Sequence, residues 1–272
     1  MIIIDAGMCY FDIKQLKFRT SWSFTDADFK EPLDSLLRKY GKFSDDGTFP
    51  VLWSTRSKYV LLLTLENGFQ VVYKAPRKLR SPLRYMFRPG PWGQEAVNYQ
   101  ILSNLGLPMV KLISAGETRS CFILKYGYLM TEYASGFSDG REFTGEGSLC
   151  SNKTLRDEFI RRNFQYLAKM HKAGFIHKGF TPANLLFRKL QQPDANGNNL
   201  ELKWIDVASC KKLFFKFNSL KHIARDLSLF FHFFDFSTEE KLSYLYSYCQ
   251  ERNDCSLPPE KLLRLIAAHP VR

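Results

Sequence analysis

The sequence predicts an α+β protein of two lobes, a small β-sheet lobe with one helix followed by a mainly helical lobe. Three observations carry this: a hairpin signature at Asn67-Gly68, a change from strand-like to helix-like periodicity after residue 134, and three further helical stretches toward the C-terminus. At 272 residues, 45% of them hydrophobic, the chain is long enough to bury the core of one large domain or of two lobes. No internal repeat is present. The expected organisation is an N-terminal extension over 1–47, without an assignable role and packed on the first lobe, then a first lobe over 48–133 and a second over 134–272.

The segment "KYVLLLTLENGFQVVYKA" (58–75) is two apolar runs around Asn67-Gly68, a dipeptide that tolerates positive φ and so favours a hairpin. A loop rich in Arg, Lys and Pro follows, to about residue 92. "GQEAVNYQILSNLG" then reads as a helix, with Val97, Ile101 and Leu105 at helical spacing and Gly106 as its stop. Residues 108–134 supply two or three more strands. From Leu155 to His171, Phe159, Ile160, Phe164, Leu167 and Met170 form a helical stripe closed by Gly174. After the polar excursion "QQPDANGNN" comes a strand, "LELKWIDVA", and then helices over 219–234, 238–252 and 259–268. The Phe-rich run "LSLFFHFFDF" reads as a buried helix, because His232 and Asp235 interrupt it.

Charge narrows the partners. The 39 Lys+Arg against 27 Asp+Glu leave +12, which favours a nucleotide, a phosphorylated sugar, nucleic acid or an acidic membrane surface. The opening "MIIIDAGMCYFDIK" lacks the pattern of a signal peptide, and no apolar run approaches the ~18 residues of a transmembrane helix. The six cysteines are scattered without a C-x-x-C pair, as expected of reduced thiols in a cytoplasmic protein.

Residues 177–187, "HKGFTPANLLF", have the spacing of a kinase catalytic loop, in which H-R-D is followed four residues later by Asn. His177 and Asn184 keep that spacing, but Gly179 stands where the catalytic Asp belongs. Lys74 alternates with apolar residues on its strand, so it is either solvent-facing or a phosphate ligand. Glu95 near the start of the next helix suits either the helix dipole or a partnership with Lys74. Asp206 falls in register with Leu200, Leu202 and Trp204, the apolar side of its strand; a carboxylate there needs a cation, a metal or a capping role. Asp226 reads as a surface acid or as a holder of the catalytic-loop backbone, and His177 as a buried scaffold residue.

The segments "YLAKMHKAGFIHKGFTPANLLF" and "LELKWIDVASCKK" resemble the bacterial lipopolysaccharide core kinases, heptose and Kdo sugar kinases of protein-kinase-like fold. "GFQVVYKAPR", "WGQEAVNYQILSNLGLPMVKLISAGETR" and "YLMTEYASG" fit the same order, so the resemblance runs from about residue 50 to 235. It implies a protein-kinase-like two-lobed fold, with ATP and magnesium as cofactors. Lys74 would bind the α/β phosphates with Glu95 holding it, Glu132 and Tyr133 would lie beside the adenine, and Asn184 and Asp206 would hold Mg²⁺. Two departures stand out. "STRSK" (54–58) replaces the Gly-rich phosphate loop, and Gly179 removes the general base, a group worth roughly 10²–10⁴-fold in rate.

The stretch 74–92 interleaves Arg77, Lys78, Arg80, Arg84 and Arg88 with Tyr85, Met86, Phe87 and Trp92, which suits a solvated loop or an anionic lipid or glycan. Single-stranded nucleic acid uses the same chemistry, yet no nucleic-acid-binding motif accompanies it. The expected activity is ATP/Mg-dependent phosphorylation of a sugar hydroxyl on a glycolipid, at the cytoplasmic side with peripheral contact to an anionic inner membrane. The alternative is a pseudokinase that binds nucleotide or a partner.

Overall fold

A computed structural model describes residues 21–79, 82–86, 88–145, 147–213, 219–253 and 257–269. The chain divides into two compact units, one formed by 1–97 with 111–133 and the other by 98–110 with 134–272.

The first unit is built on a six-stranded antiparallel sheet. Its strands are β1 (Trp22–Thr25), β2 (Val51–Ser54), β3 (Lys58–Thr64), β4 (Gln70–Pro76), β5 (Leu112–Ser120) and β6 (Ile123–Glu132), in the spatial order β1-β5-β6-β4-β3-β2. Helix α1 (Ala27–Tyr40) carries Phe29, Leu33 and Leu36 on its buried face. These join Leu61, Leu63, Val71, Tyr73 and Ile113 in one core. Alternation decides which strand residues are inside: along β4, Val71, Tyr73 and Ala75 are buried while Gln70, Val72 and Lys74 are half-buried on the other face.

The β3–β4 hairpin forms as expected, with Thr64 opposite Gln70. Its loop is longer than a two-residue turn: Gly68 alone takes positive φ (78°), while the Asn67 side chain accepts a hydrogen bond from Phe69 N at 3.0 Å. The tight two-residue turn lies elsewhere, at Cys121 and Phe122 (φ 45° and 68°), between Ser120 and Ile123 of β5 and β6.

Between β4 and β5 runs helix α2 (Pro91–Asn104). The second unit continues with β7 (Ser138–Asp139), the long helix α3 (Lys153–Lys172), β8 (Phe175–Ile176), β9 (Leu185–Lys189), β10 (Leu200–Trp204) and β11 (Lys211–Lys212). Helices α4 (Ser219–Phe231), α5 (Thr238–Arg252) and α6 (Pro259–Ala268) complete it. The stripe read from α3 is buried in full: Phe159, Ile160, Phe164, Leu167 and Met170 are each inaccessible. Phe164 meets Phe230, Phe231 and Tyr244 edge-on, with ring centroids 5.1–6.3 Å apart.

Two expectations shift. The Phe-rich helix ends at Phe231 rather than residue 234, since Phe233 N bonds Phe230 O and Phe234 N bonds Phe231 O in tighter turns. That break lets Phe236 reach the core while His232 and Phe233 face solvent. The strand over "LELKWIDVA" stops at Trp204, so its alternation does not extend to Asp206.

Candidate active site

In the first unit, the half-buried face of β4 and the second turn of α2 bring Lys74 and Glu95 together. Lys74 Nζ donates to Glu95 Oε1 at 2.8 Å, with the Glu95 side chain 6% exposed and that of Lys74 19%. Glu95 lies past the first turn of α2, which holds no acid, so its partner and not the helix dipole accounts for its burial. Glu132 closes β6: its N–H bonds Lys111 O at 2.9 Å and its carboxylate accepts from Lys111 N at 3.0 Å. Tyr133 N donates to Gln70 O at 3.0 Å, so that amide is engaged within the unit. Ser54 to Lys58 form the β2–β3 turn, where Thr55 N bonds Lys58 O.

In the basic-aromatic stretch Arg77, Lys78, Arg84 and Arg88 are exposed, Arg77 being ion-paired with Asp45, while Trp92 is buried. Arg80 and Phe87 lie outside the described residues, as do Cys255 and the first twenty positions, Cys9 among them. The four described cysteines, Cys121, Cys150, Cys210 and Cys249, are free thiols. A cavity of about 770 Å³ beside α1, lined by Tyr59, Tyr73, Tyr126 and Tyr128 among others, includes neither Lys74 nor Glu95. Burial pushes the phenols of Tyr59, Tyr73 and Tyr128 upward, so all three stay neutral.

In the second unit, the loop after β8 is held from behind by Asp226 of α4, 2% exposed. Its Oδ2 accepts from His177 N and its Oδ1 from Lys178 N, both at 2.7 Å, and His171 Nε2 lies 3.2 Å from Oδ2. Burial alone would raise the Asp226 carboxyl, but His171, His177 and these amides bring it below its ordinary value. The His177 ring is fully buried, edge-on to Phe180 and Trp204, with Nδ1 accepting from Gly179 N at 3.3 Å. Burial pushes His177 down to about 4 against the pull of Asp226 and Asp206, so it is a neutral scaffold residue.

Asn184 and Asp206 flank the β9–β10 ladder, whose last pair is Leu185 with Trp204, and Ile205 N bonds Asn184 O at 3.0 Å. Asn184 Nδ2 donates to Gly179 O at 2.9 Å, which turns its amide oxygen away from that carbonyl. Asp206 adopts φ 55°, and its N–H donates to Tyr99 OH at 3.1 Å. Asn98 Nδ2 donates to Val207 O and Cys210 O at 2.8 and 2.9 Å, fixing the segment after Asp206. Sequence reasoning missed Asn98 and Tyr99. The signal was available: a polar residue three positions after Glu95, amid the apolar residues of α2, needs a buried partner.

A side chain at Gly179 would first meet Ser209 Oγ (3.2 Å from an ideal Cβ), His177 Nδ1 (3.7 Å) and Asn184 Nδ2 (3.8 Å), none of them a carboxylate. The donors at Asn184 and Asp206 are an amide oxygen and a carboxylate, hard oxygen ligands that fit Mg²⁺, an ion that keeps several of its waters. Among the described residues no group of three His, Cys, Asp or Glu forms a metal cluster.

Residues 77–242 match the model of the lipopolysaccharide kinase (Kdo/WaaP) family, more than half of the chain. The chain belongs to that family. Glu95, Glu132, Asn184 and Asp206 fall inside the matched stretch, and Lys74 just before it. Among solved structures, WaaP in complex with acyl carrier protein is similar at 15% identity, TM-score 0.67, covering 91% of this chain and 96% of that one. This places the family member in the protein-kinase-like fold. Weaker likenesses are the Rio2 kinase–ADP/Mg²⁺–phosphoaspartate complex from Chaetomium thermophilum (16% identity, TM-score 0.47, 87% and 69% covered) and an ATP-soaked Stt7 homolog from Micromonas algae (14%, 0.38, 62% and 53%). A search of curated proteins found no match. No helix among the described residues is long and apolar enough to cross a membrane.

Proposed function

We propose that this lipopolysaccharide-kinase-family chain transfers a phosphoryl group from ATP to a sugar hydroxyl of a glycolipid, at the cytoplasmic face of an anionic membrane. The observation that carries the reading is the part-buried Lys74–Glu95 ion pair, formed between residues 21 positions apart with Glu95 6% exposed. A carboxylate buried that deeply needs a cation, so the lysine is held at one place with its ammonium aimed by Glu95. In this reading Lys74 binds the α/β phosphates, and Asn184 and Asp206 hold Mg²⁺. Bound there, Mg·ATP supplies the transferable phosphoryl group and neutralises charge as it develops. Asn98 and Tyr99 hold the Asp206 segment, and Asp226 holds the loop carrying Gly179. With the Tyr133 amide engaged by Gln70, adenine is met by other backbone groups near Glu132 and Tyr133. Proton removal at Gly179 has no carboxylate, and phosphoryl transfer tolerates this because positioning and electrostatics dominate its loose transition state.

The absence of a carboxylate among the atoms nearest a Gly179 Cβ favours a second reading, a pseudokinase that binds Mg·ATP without transferring phosphate. Calorimetry of Mg·ATP with wild type, Lys74→Ala and Asp206→Ala tests what the two readings share. Binding in wild type and its loss in both variants is the expected result. No binding by folded wild type, or equal binding by all three, refutes the assignments. Turnover with a phosphate-accepting glycolipid then separates kinase from pseudokinase. The acyl carrier protein in the WaaP complex names a further partner to test here by co-purification.

A further inference from the structure

Beside the loop of Gly179 the second unit gathers positive charge that nothing described neutralises. Lys178 takes φ 62°, a conformation pinned by the bond from its N–H to Asp226 Oδ1, and this fixes where its side chain leaves the backbone. Lys211 pairs with Ile176 across β11 and β8, two residues before Lys178, and burial together with the neighbouring Lys211 charge pushes the Lys178 ammonium down. Arg225, next to Asp226 on α4, adds its charge to Lys178, and His222, one turn earlier, feels both lysines. Lys178, Lys211 and Arg225 are all exposed. Among the described residues, no carboxylate lies within ion-pairing distance of any of the three. The nearest acid, Asp226, is buried and already accepts three hydrogen bonds. A kinase base at position 179 would have placed a negative charge beside Lys178; glycine does not.

Like charges in contact repel, and an arrangement that holds them together is stabilised by an anion between them. Three basic side chains outweigh a single carboxylate, and together with the His222 ring they match a phosphate dianion, whose oxygens accept several hydrogen bonds at once and whose charge offsets their mutual repulsion.

We propose that Lys178, Lys211, Arg225 and His222 form a binding subsite for a phosphate monoester carried by the acceptor sugar. The subsite lies one residue from Gly179, so it holds the acceptor by a phosphate already present and presents a neighbouring hydroxyl to the catalytic loop. The acceptor is thus a sugar phosphorylated before it reaches this protein. The inference rests on the kinase reading for the word acceptor, while the anion site itself stands on the cluster alone.

The test titrates the full chain with inorganic phosphate, glucose 6-phosphate and glucose, in wild type, Lys211→Gln, Arg225→Gln, Lys74→Ala and Lys189→Gln. Lys211 and Arg225 are exposed, so circular dichroism should show both variants folded. Glucose 6-phosphate and phosphate should bind and glucose should not. Each cluster substitution should weaken binding about tenfold or more, the loss of one charge-assisted contact. Lys189→Gln, an equal loss of charge from an exposed strand position, should leave it unchanged; phosphate affinity lost in Lys74→Ala and kept in both cluster variants would place the anion at the nucleotide phosphates and overturn the proposal. Phosphate affinity untouched by both cluster substitutions overturns the proposal, as does equal binding of glucose. Phosphatidic acid vesicles form a second arm: binding that depends on Lys211 and Arg225 but is not displaced by glucose 6-phosphate overturns the sugar-borne assignment. Mg·ATP affinity is measured in parallel. If wild type fails to bind Mg·ATP yet binds phosphate through the cluster, the kinase reading falls and the anion site stands.

Discussion

Replacing Asp226 by Asn changes one atom and should cost about 3–5 kcal/mol of stability, the range for breaking one side of a buried charged network. The magnitude follows from the contacts. Both carboxylate oxygens accept: Oδ1 from Lys178 N, Oδ2 from His177 N with His171 Nε2 beside it. An amide has one acceptor oxygen and one NH₂, so in either orientation a donor faces a donor in a site that is 2% exposed. A hydrogen bond to a charged group contributes roughly 1.5–3 kcal/mol, and a buried donor left without an acceptor costs roughly 1–3 more. Urea unfolding read by circular dichroism measures the difference as a shift in midpoint at constant slope. Asp235→Asn, at an exposed position just past α4, is the control and should stay within about 0.5 kcal/mol. A cost below about 1 kcal/mol for Asp226→Asn, at unchanged slope, would refute the claim that this carboxylate holds the loop.

Restoring the acid with Gly179→Asp should fold, since Gly179 is not among the positive-φ residues and the closest contact is a hydroxyl at 3.2 Å. If only the base is missing, turnover or ATP hydrolysis should rise by up to ~10²-fold with Asn184 and Asp206 intact, and no gain in a variant that binds Mg·ATP favours the pseudokinase. In metal-free buffer His177 should make the protein acid-sensitive. Its pKa falls from 6.5 to about 4 on folding, so the unfolded chain binds more protons between those values and stability drops as pH falls through that window. The loss is ~1 kcal/mol near pH 5.5 and ~3 near pH 4, and His177→Phe should flatten that part of the curve. Phe164→Ala should cost about 3–5 kcal/mol, because it empties the centre of the α3–α4–α5 aromatic cluster, and thermal unfolding checks it. Binding to anionic vesicles should weaken with salt and in an Arg84→Gln/Arg88→Gln variant, since both side chains are exposed and screened over ~8–10 Å; equal binding to neutral vesicles argues against membrane contact.

The sequence by itself determined the elements whose signals are local. The 3.6-residue stripe of α3, the helix over 238–252 and the β3–β4 hairpin all follow from residues a few positions apart. It also determined the order of motifs that places the chain in its kinase family, and so named Lys74, Glu95, Asn184 and Asp206 as candidates. Tertiary structure alone decided what those residues touch. The turn at Cys121-Phe122 carries neither Asn nor Gly, and two left-handed residues there cost roughly 1–2 kcal/mol each. The long β5–β6 ladder on either side imposes them. Asp206 was expected from alternation to face an apolar side, yet it lies beyond the strand end in a left-handed conformation, with its amide on Tyr99, 107 residues away in sequence. Lys178 and Lys211 look like ordinary surface lysines when read singly, and they become a cluster through the β8–β11 pairing and the Asp226 clamp. Periodicity reports which face of an element is buried. The partner of a buried or crowded charge is fixed by contacts across tens of residues, where desolvation and Coulomb energy act through space and not along the chain.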